Sequence, residues 1–375
     1  MAERGGSLKS SHHECIVVGA GLLGLSTAWA LSRRGHDVIV LDAHEPGHPR
    51  AGSKGSARIF RLSYLDPLYV AMATQALALW HVLEEDSGLT LLHHRTLLNI
   101  GQGLGELADA MDAVDAPYSR VAPEDLRRLF PALAVDGPGL SEETGGVLLA
   151  DACLMALHET GDFDVHSGCW VTEISDEDGG ATVTTDDGTI LSANVVINCA
   201  GIASLSLFGH GTVPTAAQAS LQQVVYLEPR QPEEPIPLFI EWGDNTVYGL
   251  PVIGQPLLKL SHHTVGPGYS DRSSIDEDDP ELLQLLYDAA VRLLPSFSPI
   301  PVATERCVYD NTTDTDFIID RVGHVVVGCG TSGHGFKFGP LLGQLLADLA
   351  LGEAPAFDLT PFALQRPWSG QRGAP

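Results

Sequence analysis

The chain opens on apolar runs cut short by glycine. Residues 15–21, CIVVGAG, read as an apolar strand ending in glycine. Residues 22–35, LLGLSTAWALSRRG, have helical composition and stop at Gly35, and residues 37–43, DVIVLDA, are a second apolar strand that reaches Asp42. An apolar strand without polar alternation is what a parallel sheet covered on both faces requires. Further along, LYVAMATQALALWHVLEED predicts a long helix, and residues 89–145 mix short strands and polar turns with a helical piece near PEDLRRLF. The segments DVHSGCWVTEIS, ATVTTDDGTIL and NVVINCAG predict a meander with Asp187-Gly188 as a hairpin turn. Residues 211–300 are strand-like and proline-rich, with one helix in PELLQLLYDAAVRLL. The chain then returns to its opening style. FIID and HVVVGCG are strands, and GPLLGQLLADLAL is a last helix, with apolar residues at 341, 342, 345, 346 and 349 and Pro340 in its first turn.

Between the first strand and helix, Gly19, Gly21 and Gly24 have the G-x-G-x-x-G spacing. The first glycine allows the tight turn, the second lets the backbone approach a pyrophosphate at the helix's positive end, and the third lets helix and strand pack closely. Asp42 is placed to accept hydrogen bonds from a ribose. Strand, helix and terminal acid together predict a Rossmann-type dinucleotide-binding domain. Because the α/β style returns late in the chain, this domain is discontinuous. The expected organisation is α/β, with residues 1–85, 146–210 and 306–375 in the cofactor domain. Residues 86–145 and 211–305 form an inserted substrate domain with a mixed or antiparallel sheet.

A length of 375 residues accommodates both domains. Lys and Arg number 21 against 48 Asp and Glu, a net charge of −27. That balance argues against nucleic acid and anionic membrane surfaces as partners. It also means that a small anionic ligand needs local positive charge. The longest apolar run, 15–31, is cut by three glycines and is not read as a membrane span. Six cysteines are scattered without a C-x-x-C, and the first fourteen residues lack an apolar signal segment, so a cytoplasmic protein with reduced thiols is expected. Histidine pairs stand at 12–13, 93–94 and 262–263. Neighbours on a strand point to opposite faces, so no metal site is expected from them.

The stretch CGTSGHGFKFGP, Cys329 to Pro340, sets Lys337 between Phe336 and Phe338 directly ahead of the last helix. Lysine is among the residues least often buried. Its plain reading here is a surface side chain passing its stem over two rings; the glycine-rich context argues for close packing and an anionic partner. Two further stretches join the glycine motif: CVYDNTTDTDFIID at 307–320 and GCGTSGHGFKFGPLLGQLLADLALG at 328–352. In this order and near these distances they resemble the monomeric sarcosine oxidase group of flavin amine oxidases, which includes N-methyl amino acid and pipecolate oxidases, within the D-amino-acid-oxidase fold.

The resemblance implies FAD, with its ADP half on the 19–24 loop and Asp42 and its isoalloxazine near residues 52–61 and 328–337. There Gly330, Gly333 and Gly335 would let the backbone approach a flat ring, Arg58 would stand beside it, and the helix near Gly339 would aim its positive end at it. By the same resemblance Cys307 attaches the flavin through a thioether, and Arg61 and Lys337 grip the substrate carboxylate. Lys259 activates oxygen, Tyr248 and Tyr309 line the pocket, and His263 is a pocket histidine, an assignment that the neighbouring His262 leaves open by one residue. Two departures stand out. Ser53-Lys54 replaces a histidine pair often found in the family, and Cys329-Gly330-Thr331 replaces an Ala-Gly-Phe-like run. The implied activity is oxidation of a secondary or cyclic amino acid, with hydride passing to flavin N5, an imine product and reoxidation by O₂ to H₂O₂. The alternatives are a flavin dehydrogenase or biosynthetic desaturase using another acceptor, and a non-catalytic flavoprotein. Retention of Arg61, Lys259, Cys307 and Lys337 together speaks against the last. The expected partners are a small amino-acid substrate and O₂, in a monomer.

Overall fold

The strand His12–Val18 lies inside an eight-stranded sheet, parallel to Val38–Leu41 on one side and to Ile190–Asn198 on the other. The computed structural model describes residues 11–48, 51–207, 217–232, 235–263, 265–269 and 275–368. Ile190–Asn198 is long enough to change partners along one edge. Its first half pairs antiparallel with Gly180–Thr185 and its last residues pair parallel with Val325–Cys329. The late strands Ile318–Val322 and Val325–Cys329 therefore rejoin the first sheet as a hairpin.

One face of this sheet carries the helices Leu22–Ser32, Pro67–Ser87, Ala150–Thr160 and Gly339–Leu351, which bury Trp29, Tyr69, Trp80 and Phe338 among themselves. On the other face Ile16, Val18 and Ile39 pack against Ile174, Val183 and Leu191. A second eight-stranded sheet runs in the order Ala303–Thr312, Ala217–Leu227, Leu258–His262, Val247–Pro251, Leu238–Trp242, Leu97–Gly101, Gly139–Glu142, Ser119–Val121. One of its faces is covered by the helix Pro280–Leu293 through Leu286, Ala290 and Leu293. Arg58–Phe60, Gly146–Leu148 and Leu92–His94 form a small third sheet.

Several details differ from the pattern reading. Asp164–His166 does not join the meander; it pairs parallel with Val38–Leu41 at the sheet edge. Leu104–Asp112 and Ala150–Thr160 are helices that the pattern did not single out. The expected boundary at residue 306 falls inside a strand. Ala303–Thr312 pairs in continuous register with Ala217–Tyr226, so the second sheet holds the chain as far as Thr312.

Candidate active site

A cavity of about 540 Å³ lies between the two large sheets. Its wall includes Gly19, Gly21 and Asp42 from the first sheet's strand ends, and Lys259, Cys307 and Tyr309 from the second. Gly19 is left-handed at φ +102, and a side-chain carbon there would stand 2.4 Å from the Cys199 carbonyl oxygen. At Gly24 the same carbon would stand 1.7 Å from the Gly19 oxygen, so helix and strand touch backbone to backbone. At Gly21 it would meet only Ser53 Oγ, at 3.4 Å, which leaves the backbone open to the cavity. Asp42 accepts from the Ala20 and His44 backbone N–H groups, which fixes its carboxylate at the edge of this opening.

The helices Leu22–Ser32 and Gly339–Leu351 run side by side. A side-chain carbon at Gly339 would stand 2.7 Å from Leu22, and one at Gly343 would stand 2.4 Å from the Ser26 backbone. Equal four-residue steps bring both N-termini to the same end, where Leu22, Leu23, Phe336 and Lys337 line the cavity. The loop ahead of the second helix departs from expectation. The sites of missing side chains at Gly330, Gly333 and Gly335 are occupied by Thr312, Tyr309 and Thr331. These glycines serve the protein's own packing, and Gly330 stands outside the cavity wall while Gly333 and Gly335 are part of it.

Phe336 and Phe338 do not sandwich Lys337. Phe338 is buried in the core and Phe336 stacks on Trp80, whose Nε1 donates to the Lys337 carbonyl at 2.7 Å. The Lys337 side chain is thereby aimed at the cavity, and its Nζ donates to Tyr64 Oη at 2.9 Å and to the His334 carbonyl at 2.8 Å. Arg61, equally buried, stacks its guanidinium 4.0 Å from the Tyr64 ring centroid and 5.0 Å from that of Trp242, and donates to the Ser63 carbonyl. Among the described residues neither cation forms an ion pair. The nearby buried Glu142 accepts instead from the Leu62 and Ser63 N–H groups and from Asn99. Burial, then the mutual repulsion with Arg61, pulls the Lys337 pKa well below its usual value.

A second group of cations surrounds Lys259. Its Nζ is 3.4 Å from the Ala57 carbonyl, and burial followed by the charge of Arg58 lowers its pKa to about 8. Arg58 donates to the carbonyls of Gly52, Lys54 and Ala57, so it organises the loop, and its guanidinium lies 5.4 Å from the Phe336 ring centroid. The Lys54 side chain is not part of the cavity wall, although its charge is among those acting on Lys259. Cys307 is a half-buried free thiol on the wall. The Tyr248 and Tyr309 hydroxyls are 3.4 Å apart, and the His263 ring lies 6.4 Å from that of Tyr309. His263 lines the cavity, and burial lowers its pKa to about 3, so the imidazole is neutral. His262 points the other way, with Leu258 and Leu260 at the core below.

Residues 14–349 match the family described as FAD dependent oxidoreductase. The chain belongs to that family. It is 31% identical to the peroxisomal sarcosine oxidase of Mus musculus over 94% of this chain and 96% of that one. It is 28% identical to the N-methyl-L-tryptophan oxidase of Salmonella arizonae over 94% of this chain and 99% of the relative. Its fold matches the open form of NikD, an unusual amino acid oxidase essential for nikkomycin biosynthesis, with a TM-score of 0.83 and 24% identity over 94% and 98% of the two chains.

FAD is therefore the cofactor of this oxidoreductase, and the residues present fit it. The open backbone at Gly21, the fixed carboxylate of Asp42 and two converging helix N-termini suit a dinucleotide. Two members of the site escaped the sequence reading. Tyr64 and His334 are both buried against Lys337, and the only signals were a tyrosine three residues after Arg61 and a histidine three before Lys337.

Proposed function

We propose that this oxidoreductase acts on the CH–NH bond of a secondary or cyclic amino acid, in the class of sarcosine, N-methyl amino acids and pipecolate. The observation that carries this reading is the pair of buried cations, Arg61 and Lys337, that share one wall of the FAD cavity and form no ion pair among the described residues. A substrate carboxylate supplies the missing charge, and two desolvated cations hold it in one orientation. The names of the relatives, a sarcosine oxidase and an N-methyl-L-tryptophan oxidase, support a substrate alkylated on nitrogen. When bound, FAD would supply the redox chemistry, serving as acceptor for the hydride on the carbon beside nitrogen, with a hydrolysable imine and, from O₂, H₂O₂ as the products.

The protein's own part is orientation and electrostatics. The neutral His263 and the paired Tyr248 and Tyr309 hydroxyls offer hydrogen bonds without adding charge, so the uncharged amine, the form with a free electron pair, is the one accommodated beside these cations. Lys259, in the separate cation group, is assigned to stabilising the anion that forms as O₂ takes its first electron. Cys307 is assigned as the covalent attachment point, supported by its free thiol on the cavity wall. The enzyme is read as a cytoplasmic monomer. Anaerobic bleaching of the yellow enzyme by sarcosine, proline, pipecolate, N-methyl amino acids and primary amino acids tests the substrate class. Bleaching by primary amino acids alone would refute it, and an absence of O₂ uptake after bleaching would assign the electrons to another acceptor.

A further inference from the structure

We infer that Tyr64 assembles the carboxylate grip, holding Arg61 on its ring and Lys337 on its oxygen while His334 fixes the direction of its O–H. The inference rests on the reading of Arg61 and Lys337 as that grip. Two like charges in a buried site repel, and no carboxylate pairs with either among the described residues. What they share is Tyr64, itself fully buried, with the Arg61 carbon 4.0 Å and the Lys337 nitrogen 5.5 Å from its ring centroid. The ring face attracts the guanidinium, and the phenol oxygen accepts from the ammonium at 2.9 Å.

The direction of the phenol hydrogen follows from the next partner. His334 Nε2 lies 3.0 Å from the Thr315 carbonyl, which can only accept, so Nε2 carries the ring hydrogen. Nδ1 is then a lone pair, 3.4 Å from Tyr64 Oη, and receives the phenol O–H. The oxygen's remaining lone pair faces Lys337. Lys337, Tyr64 and His334 thus each donate to the next group, ending at the accepting Thr315 carbonyl, and reversing any link would set two hydrogens against each other. The His334 ring is locked for this task by stacking on Phe317 at 4.7 Å, and burial keeps the ring neutral. Lys337 spends two of its three N–H groups on Tyr64 Oη and the His334 carbonyl. The third has no acceptor among the described residues and is left for the ligand. Tyr64 and His334 are positioning residues, acting through Lys337.

The test is a double-mutant cycle on the FAD-loaded enzyme, with acetate and cyclopentanecarboxylate as probes and the flavin absorbance shift as readout. Tyr64→Phe keeps the ring under Arg61 and removes the acceptor, so both probes should bind about tenfold more weakly, as for a lost hydrogen bond to a charged group. In a Lys337→Met background the same change should cost less than about twofold, because the oxygen's partner is already gone. Loss of the phenol oxygen also disfavours the ammonium, so carboxylate affinity in Tyr64→Phe should fall off at a lower pH than in the parent enzyme. His334→Phe keeps a ring on Phe317 and frees the phenol hydrogen to turn toward Lys337; its loss should be in the same direction and again vanish with Lys337→Met. Equal losses in both backgrounds, or none in Tyr64→Phe, would overturn the role of Tyr64 and leave the grip standing. Unchanged affinity in Lys337→Met alone would remove the grip itself.

Discussion

Replacing Lys337 by methionine should make the ligand-free protein more stable while weakening its hold on carboxylates. Methionine matches the length of the lysine stem and removes only the charge and its donors. Arg61 and Lys337 lie 4.0 and 5.5 Å from one ring centroid. Their charges are therefore at most about 10 Å apart, and at an effective dielectric of about 20 they repel by about 2 kcal/mol or more. Desolvation of a 6%-exposed ammonium adds to that cost. Against this, the variant leaves Tyr64 Oη and the His334 carbonyl without their donor, at roughly 1 kcal/mol each. Repulsion and lost hydrogen bonds nearly cancel, and desolvation tips the balance toward the variant, which should melt about 2 °C or more higher. Carboxylate binding should weaken by about 2–5 kcal/mol, or roughly thirtyfold to several thousandfold. The stability gain has a pH signature. Burial and then Arg61 hold the folded-state pKa of Lys337 well below its unfolded value, so as pH falls the unfolded chain binds this proton first and the wild type loses stability. The advantage of the variant should shrink as pH is raised toward about 10, where lysine is neutral in both states. Thermal scans across pH and flavin-absorbance titrations measure both effects. A variant that melts lower than wild type and binds carboxylates as before would make Lys337 a structural anchor and refute the reasoning.

Lys259→Met should slow flavin reoxidation by orders of magnitude and change flavin reduction by substrate much less, as stopped-flow of the two half-reactions would resolve; nearly unaffected reoxidation would sink the assignment. Cys307→Ser should convert a flavin that stays with the acid-precipitated protein into one released to the supernatant, and a colourless pellet from the parent enzyme would count against covalent attachment. His262→Leu should move acid unfolding to lower pH. His262 is fully buried, neither ring nitrogen has a partner among the described residues, and burial lowers its pKa to about 4. The folded chain resists a proton that the unfolded chain takes up near pH 6.5, so about 3 kcal/mol present above that pH is lost as pH falls through 4. An unchanged midpoint by circular dichroism would show that His262 does not limit acid stability.

The opening β-α-β unit was legible because its determinants are local. Gly19, Gly21 and Gly24 must stand at fixed steps for the turn and the helix-strand contact, and the buried runs 15–18 and Val38–Leu41 are uniformly apolar because both faces are covered. The last helix announced itself by period and proline. The helix Ala150–Thr160 did not, because its alanines and cysteine carry little periodic contrast and only packing against its neighbours buries them. The boundary at 306 was misplaced for a related reason: which sheet a strand joins depends on its partner, and for Ala303–Thr312 that partner begins 86 residues earlier, at Ala217, as the register pair of Thr312 and Ala217 and that of Ala303 and Tyr226 define.

By itself the sequence determined the cofactor unit and the residue types that a charged ligand demands, since both are written in short runs whose spacing physics constrains. The tertiary structure alone decided which side of the strand Leu258–His262 faces the cavity, sending Lys259 toward it and His262 into the core. It alone also brought Tyr64 to Lys337 across 273 residues. A contact of that length leaves no local period or propensity in the chain. It exists because helices and sheets that each bury their own apolar face have one joint packing, and that packing sets two cations against a single phenol.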